Sequence, residues 1–425
     1  MKQNVFVFPC GSEIGLEIYK SLDCSTHFKI FGGSSIDDHG KFVYKNYIPD
    51  IPMVDDANFI KTLNEVLQKH KIDYIFPAHD SVVLKLAQEE AQGNIKCKVI
   101  TSPLNTCEIA RSKLKTYEAL KDTIRTPLVL DANDLQNSDL PVFLKPDIGQ
   151  GSKGTYLVRN IEDIDFYIKK DPSLIILEYL PGKEFTIDCF TNKKGELIFC
   201  EGRERSRISN GISVNSKIIK DKRFNEIGTK INKKLDINGV WFFQLKEDEN
   251  KELVLMEIAP RVAGTMALNR CRGVNLPLLS LFDAIGTNVD IIENEYYIEI
   301  DRALSNQYKI DISYNHVYLD FDDMVVFEGK LNVKVMEFVF QCINMNIKVY
   351  IITKHKKDII ATMKDYRLQN TFDKIIKLEA GAEKYKYIKE KDAIFIDDSF
   401  AERKKVHDKC GIPVFDSHMI EGLMK

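Results

Sequence analysis

Phe143-Leu144-Lys145-Pro146-Asp147-Ile148-Gly149-Gln150-Gly151-Ser152-Lys153-Gly154 leads directly into Thr155-Tyr156-Leu157-Val158. Apolar runs at 142–144 and 156–158 flank a polar segment carrying three glycines, a pattern that predicts a β-hairpin with a long loop. Glycine lets backbone N–H groups close on an anion with no Cβ in the way. Lys145, at the end of its strand, adds a fixed cation beside that loop. Such a segment suits a phosphate. A solvated hairpin turn would have the same composition, and only the motifs that follow separate the two.

The first of these is Ile175-Ile176-Leu177-Glu178-Tyr179-Leu180-Pro181-Gly182-Lys183-Glu184-Phe185-Thr186-Ile187-Asp188, which reads as strand, Pro-Gly bend and strand. The bend sets Glu178 and the backbone of Tyr179 and Leu180 at one edge, with Glu184 across from them. Val240-Trp241-Phe242-Phe243-Gln244-Leu245 and Leu253-Val254-Leu255-Met256-Glu257-Ile258-Ala259-Pro260-Arg261 read as two more strands around a polar turn. Gln244 and Glu257 are expected on adjacent antiparallel strands, pointing at one site. Arg203, Arg205 and Arg207 alternate along another strand and should point one way. They could clamp a carboxylate or acyl phosphate, although an exposed charged strand face fits equally. Arg270 and Arg272 are weaker candidates for the same task.

Residues 1–105 alternate apolar runs with amphipathic segments, which predicts a small parallel, doubly wound sheet. The turn from Gly11 to Gly15 lacks the full glycine set of a dinucleotide fingerprint. With His79-Asp80-Ser81 it is expected to help hold a substrate other than the nucleotide. The character changes at 106, a second domain should run from 106 to 312, and a third from 313 to 425.

These residues carry a resemblance. The segment from Lys113 to Arg261 resembles the ATP-grasp superfamily in its carbamoyl-phosphate-synthetase and biotin-carboxylase form, and residues 1–105 resemble the Rossmann-like domain that usually precedes it. The match spans roughly residues 1–310 and implies ATP with Mg²⁺, Mn²⁺ being an alternative. It implies that Lys113 and Lys145 bind the α/β-phosphates, and that the loop with Gly151, Ser152 and Gly154 closes over the β/γ-phosphates. Glu178, Tyr179 and Leu180 would take the adenine and Glu184 the ribose. Gln244 and Glu257 would hold magnesium, as hard oxygen donors. Arg261 would steady the transferred phosphoryl group with a planar fork. One position departs: the family's Glu-x-Asn-Pro-Arg reads Glu257-Ile258-Ala259-Pro260-Arg261, so an alanine replaces an oxygen ligand of the second magnesium. Gln244, a water or Asp188 must compensate, or ligation is weakened or lost.

After a polar, tyrosine-rich connection at 294–315, three strands end in polar residues: His316-Val317-Tyr318-Leu319-Asp320-Phe321-Asp322-Asp323, Lys348-Val349-Tyr350-Ile351-Ile352-Thr353 and Asp392-Ala393-Ile394-Phe395-Ile396-Asp397-Asp398-Ser399. Helix-like segments between them predict parallel strands with an active site at their carboxyl ends. Carboxylates crowded at one edge repel unless a divalent cation sits among them. The order Asp-x-Asp, Thr, Lys, Asp-Asp resembles the haloacid dehalogenase (HAD) superfamily, mostly phosphatases. The resemblance implies a doubly wound parallel sheet with Asp320 as nucleophile and Asp322 as general acid/base. Thr353 and Lys384 would hold phosphoryl oxygens, with Lys386 and Lys377 as nearby alternatives to Lys384. Mg²⁺ would be held by Asp397, Asp398 and Asp320, with Asp322 in the same acidic set. Met324 stands where the family often has threonine. The intervals from Asp320 to Thr353 and from Thr353 to Lys384 leave no space for a large cap, so the site should be open.

Composition bounds the rest. At 425 residues, 44% hydrophobic and 29% charged, the chain reads as an ordinary soluble multidomain α/β and α+β protein. A net charge of −3 gives no reason to expect nucleic acid or an anionic membrane as partner. Nine cysteines stand singly with no CxxC pair, which argues against a disulfide framework or thiolate zinc. The cytoplasm is the expected compartment, and a homodimer the expected assembly. The reading that unites these features is an ATP- and Mg²⁺-dependent carboxylate–amine ligase fused to a HAD phosphatase, using small-molecule carboxylate and amine substrates and a phosphate ester. Two others stand beside it: an ATP-binding module that does not ligate and regulates the phosphatase, and a small-molecule kinase.

Overall fold

The structure is a computed structural model that describes residues 2–425. It divides into two compact units, Met1–Leu304 and Ser305–Lys425.

The first unit opens with five parallel strands, β1 (Gln3–Phe8), β2 (Phe28–Gly33), β3 (Tyr47–Ile48), β4 (Tyr74–Pro77) and β5 (Lys98–Val99), ordered β3-β2-β1-β4-β5. Val5, Phe6, Val7 and Phe8 are all buried, as expected of a central parallel strand covered on both faces. Ser12 caps the helix Glu13–Leu22 by accepting from Gly15 N, and His79 caps Asp80–Ala91 by accepting from Ser81 N. The strand order reverses between β1 and β4. Open α/β sheets bind ligands in the crevice at such a point, and here it is bounded by Ser12-Glu13 and His79-Asp80.

A four-stranded sheet follows, built from β6 (Val129–Leu130), β7 (Val142–Pro146), β8 (Tyr156–Val158) and β9 (Leu174–Glu178) in the order β6-β9-β7-β8. The hairpin register pairs Val142 with Val158, and Lys145 pairs with Ile175. A six-stranded antiparallel sheet completes the unit: β10 (Glu184–Thr191), β11 (Leu197–Ser209), β12 (Ile212–Ile219), β13 (Gly239–Glu247), β14 (Leu253–Ala259) and β15 (Glu299–Asp301), ordered β14-β13-β10-β11-β12-β15. Gln244 stands opposite Glu257. Trp241 is fully buried in the core of this sheet, its indole N–H donating to Thr191 Oγ1 at 2.9 Å. β15 corrects the reading of 294–315 as a connection, because Asn215 pairs with Asp301 and extends the sheet. Three residues at an edge leave no periodicity to read.

The second unit holds a parallel sheet of β16 (His316–Leu319), β19 (Lys348–Thr353), β20 (Lys374–Lys377), β21 (Ala393–Ile396) and β22 (Val414–Phe415), ordered β20-β19-β16-β21-β22. A small hairpin, β17 (Val326–Phe327) with β18 (Lys330–Leu331), and the helix Val333–Asn344 lie between β16 and β19. Here the order reverses between β16 and β21, which sets the residues after Leu319 and Ile396 side by side. The helix buries Val335, Met336, Phe338, Val339 and Cys342 against this sheet's core.

Candidate functional site

Lys145 stands one residue before the end of β7 with its side chain buried. Burial, with Lys113 beside it, pushes its pKa down to about 8 against the opposing pull of Glu257 and Glu184. Its Nζ stands 5.7 Å from the Tyr117 ring centroid. Asp147 sets the neighbouring lysine: its carbonyl accepts from Lys113 Nζ at 3.1 Å, and its carboxylate accepts from Ser112 Oγ at 2.8 Å at the cap of the helix Lys113–Leu120. Burial lowers the Lys113 pKa too. Both ammonium groups line one cavity with the glycine loop, Glu184, Gln244 and Glu257.

The loop is tied on both sides. Gln150 Nε2 lies 2.6 Å from His79 Nε2, and Arg111 donates to the Gly149 carbonyl at 3.3 Å. Opposite, Gly211 in the β11–β12 turn packs so tightly on the Gly151 backbone that a Cβ would overlap it. Gly151, Ser152 and Gly154 take positive φ, the bend that brings the loop back over the cavity.

Tyr179 and Leu180 line the far end of this cavity, of about 160 Å³. Glu178, expected at the adenine, lines the same cavity, and its carboxylate accepts from Leu128 N and Arg125, each at 2.7 Å, which fastens the β6 edge. Glu184 pairs with Arg205 at 2.9 Å, and Gln244 Oε1 accepts from Arg205 at 2.7 Å. Among the described residues the Glu257 carboxylate has no ion-pair partner, which leaves it free for a cation; one free carboxylate beside an amide oxygen fits a magnesium that takes its remaining ligands from phosphate and water. Ala259 lines the adjoining cavity and supplies no donor. Asp188, one of the expected substitutes, is excluded. It is fully buried, with Arg203 at 2.8 and 3.1 Å and Asn269 at 2.8 Å on its oxygens.

The second cavity, of about 500 Å³, opens at the switch point of the first sheet, between Ser12, Glu13, His79 and Asp80 on one side and Arg203, Arg205, Arg261 and Arg302 on the other. Arg261 forms a fork to Asp80 at 2.6 and 3.0 Å and stacks on Phe242. Burial opposes the Asp80 charge, but Arg261 outweighs it and holds the carboxyl below its usual range. The row of three arginines is broken: a register shift follows Arg205, and Arg207 turns out to solvent to meet Asp301. Arg270 is held by Glu17, and Arg272 by Glu201 and Glu293, so neither faces the cavity. Arg302 went unnoticed in the sequence because it follows β15, in a stretch that reads as a connection.

Residues 170–312 match a family model described as ATP-grasp in the biosynthetic pathway with Ter operon. The N-terminal unit is a mixed α/β fold with ATP-grasp-like structural neighbours. By sequence, it resembles a D-alanine–D-alanine ligase of Petrotoga mobilis, 28% identical over 169 residues; the match covers 34% of this chain and 56% of that protein, so the chain spans about half the length of this relative. By structure, the biotin carboxylase of Campylobacter jejuni in a complex named β-γ-ATP superposes with a TM-score of 0.58 at 15% identity, covering 70% of this chain and 75% of that one. The L-amino acid ligase of Bacillus licheniformis superposes with a TM-score of 0.54 at 17% identity, over 67% and 74% of the two chains.

Outside the ATP-grasp unit, the C-terminal sheet gathers a second set of charges. Ligand oxygens of Asp320, Asp397 and Asp398 lie within 4.8 Å of one another. Lys384 Nζ reaches Asp320 at 2.9 Å and Asp397 at 2.7 Å, which selects it over the exposed Lys386 and over Lys377, whose Nζ donates to the Lys357 carbonyl. Burial and the neighbouring Asp397 raise the Asp320 pKa to about 7 despite Lys384. Three carboxylates served by one lysine fit a divalent cation. Thr353 is buried at the end of β19. Asp322 stands apart from the cluster: its carboxylate lies 2.8 Å from His355 Nδ1, so it is not among the converging metal ligands. His355 had no motif to announce it.

Proposed function

We propose that the ATP-grasp unit is an ATP- and Mg²⁺-dependent carboxylate–amine ligase. The observation that carries this is the pair of lysines, Lys113 and the buried Lys145, sharing one cavity with the glycine loop and the unpaired Glu257. The ligase names of the sequence relative and of the Bacillus structure support the same reading. Lys113, Lys145 and the loop N–H groups would hold the phosphates, and Tyr179–Leu180 the adenine. Mg²⁺ on Glu257 and Gln244 would supply charge neutralisation at the phosphates. A substrate carboxylate oxygen attacks the γ-phosphorus and the bond to the β-phosphate oxygen breaks, releasing ADP. The amine nitrogen then attacks the acyl carbon, inorganic phosphate leaves with the C–O electron pair, and the nitrogen proton passes to water. Catalysis is then mostly positioning and charge stabilisation. A homodimer belongs to the proposal, since the biotin carboxylase domain of the Hydrogenobacter thermophilus 2-oxoglutarate carboxylase is described as a dimer. Among the described residues no helix is long and apolar enough to cross a membrane, and the cytoplasm is the proposed compartment.

For the C-terminal unit the proposal is a HAD-type phosphatase. Asp320 would attack the phosphorus of a phosphate ester, with Asp322 protonating the leaving oxygen, and water would then hydrolyse the aspartyl-phosphate. Lys384 and Thr353 would hold the phosphoryl oxygens.

ADP release across a panel of carboxylate–amine pairs tests the first part. Release that depends on the pair, disappears in Lys145→Ala and persists in Asp320→Asn supports the ligase. Silence across the panel with ATP still bound shifts the function to a non-ligating module. Loss of p-nitrophenyl phosphate hydrolysis in Asp320→Asn, with none lost in Lys145→Ala, is the expected result for the phosphatase.

A further inference from the structure

A third cavity of the first unit, of about 600 Å³, shares no lining residue with the two already described. It is bounded by the helix Asp80–Ala91, the end of β5, the helix Leu276–Ala284 and the turn between β10 and β11. Ala87, Val99, Ile100 and Leu104 give it an apolar wall. Asp283, in the last turn of the helix Leu276–Ala284, lines it too.

Asp283 is only 8% exposed, and its Oδ1 has no hydrogen-bond partner. Burial raises its pKa, and the backbone N–H and charge of Lys193 draw it back only in part. An acid in the last turn also stands at the negative end of its helix dipole. The other polar groups of the lining are engaged elsewhere. Lys98 pairs with Glu90 at 3.2 Å, Lys193 donates from the β10–β11 turn to the Gly286 carbonyl, and the Ser280 hydroxyl donates to the Leu276 carbonyl at 3.0 Å. A carboxylate withdrawn from water without its full set of partners is unfavourable, and a donor from outside relieves it. An anion placed here would stand against Asp283 and compete with Glu90 for Lys98. A neutral alcohol gives one hydrogen bond and leaves the charge unanswered. A protonated amine answers both, and its hydrocarbon part suits the apolar wall.

We propose that this cavity is a binding site for a small organic ammonium ion, its N–H groups on Asp283 and its hydrocarbon body against Ala87, Val99, Ile100 and Leu104. The site is separate from the nucleotide cavity and stands whether or not the unit ligates.

Isothermal titration of the full chain with n-butylammonium, n-butanol and butyrate tests this. The ammonium ion should bind, and the alcohol and the carboxylate should bind at least about tenfold more weakly. Asp283→Asn keeps the shape and removes the charge. It should lower the ammonium affinity by roughly 10- to 100-fold, the weight of a charge-assisted hydrogen bond. Ala284→Phe, at an exposed position on the cavity wall, should abolish binding with an unchanged circular-dichroism spectrum, and it serves if Asp283→Asn fails to fold. Glu13→Gln and Glu257→Gln, in the other two cavities, should leave the affinity within about twofold. Absence of ammonium binding, equal binding of the three probes, or a loss in Glu13→Gln or Glu257→Gln with none in Asp283→Asn and Ala284→Phe overturns the proposal.

Discussion

At the scale of single residues, burial sets the behaviour of the two groups on which the sites turn. Lys145 has a pKa pushed down to about 8, so it is charged below that pH and neutral above it. Phosphates need the charged form. ATP affinity should therefore fall as pH rises through about 8, approaching tenfold per pH unit, and Lys145→Arg should flatten that limb because guanidinium stays charged. Isothermal titration across pH 7–9.5 reads this directly. Asp320 is shifted the other way, up to about 7. Between the unfolded carboxylate value near 4 and that of the folded state, the native protein binds the extra proton, so stability declines as pH climbs through this window. Thermal melts in a chelator should show that decline for the C-terminal unit, and excess Mg²⁺ should reverse it above pH 7. Both residues could be singled out in the sequence, because each closes an apolar strand with a charge. Arg302 could not, since nothing around it in sequence reports the cavity it faces.

Elements explain which neighbouring residues share a site. The tight contact of Gly211 with Gly151 joins the β11–β12 turn to the phosphate loop, and Gly211 has φ of 74°. Gly211→Ala should displace the loop and weaken ATP binding about tenfold, measured beside an unchanged circular-dichroism spectrum. The buried Arg203–Asp188 pair fixes β10 against β11. Arg203→Ala strands a fully buried carboxylate and should cost about 3–5 kcal/mol of stability by denaturant unfolding. Hairpins and strand ends were legible here because apolar runs and Pro-Gly or Gly-rich turns mark them. Arg207 escaped the expected row because a register shift after Arg205 depends on pairing with β12, which alternation within one strand cannot report. β15 escaped because edge pairing over three residues has no pattern of its own.

At the scale of the whole chain, residues 303–313 lie outside helices and strands and are mostly exposed, between two compact units. Limited proteolysis should cut there first and yield two fragments, identified by mass. By itself the sequence determined the alternation of strands and helices, the glycine loop, the opposed Gln244 and Glu257, and the acidic strand ends of the last sheet, because each is carried by neighbours in the chain. Tertiary structure alone decided which charges remain free. Glu178 is engaged by Arg125 and Leu128 at the edge of its cavity and Asp188 is consumed by Arg203 and Asn269, whereas Glu257, Glu13 and Arg302 face a cavity with no ion-pair partner among the described residues. How far a charge is available to a ligand depends on the partners it meets from distant parts of the chain, and those partners meet only when the sheets assemble.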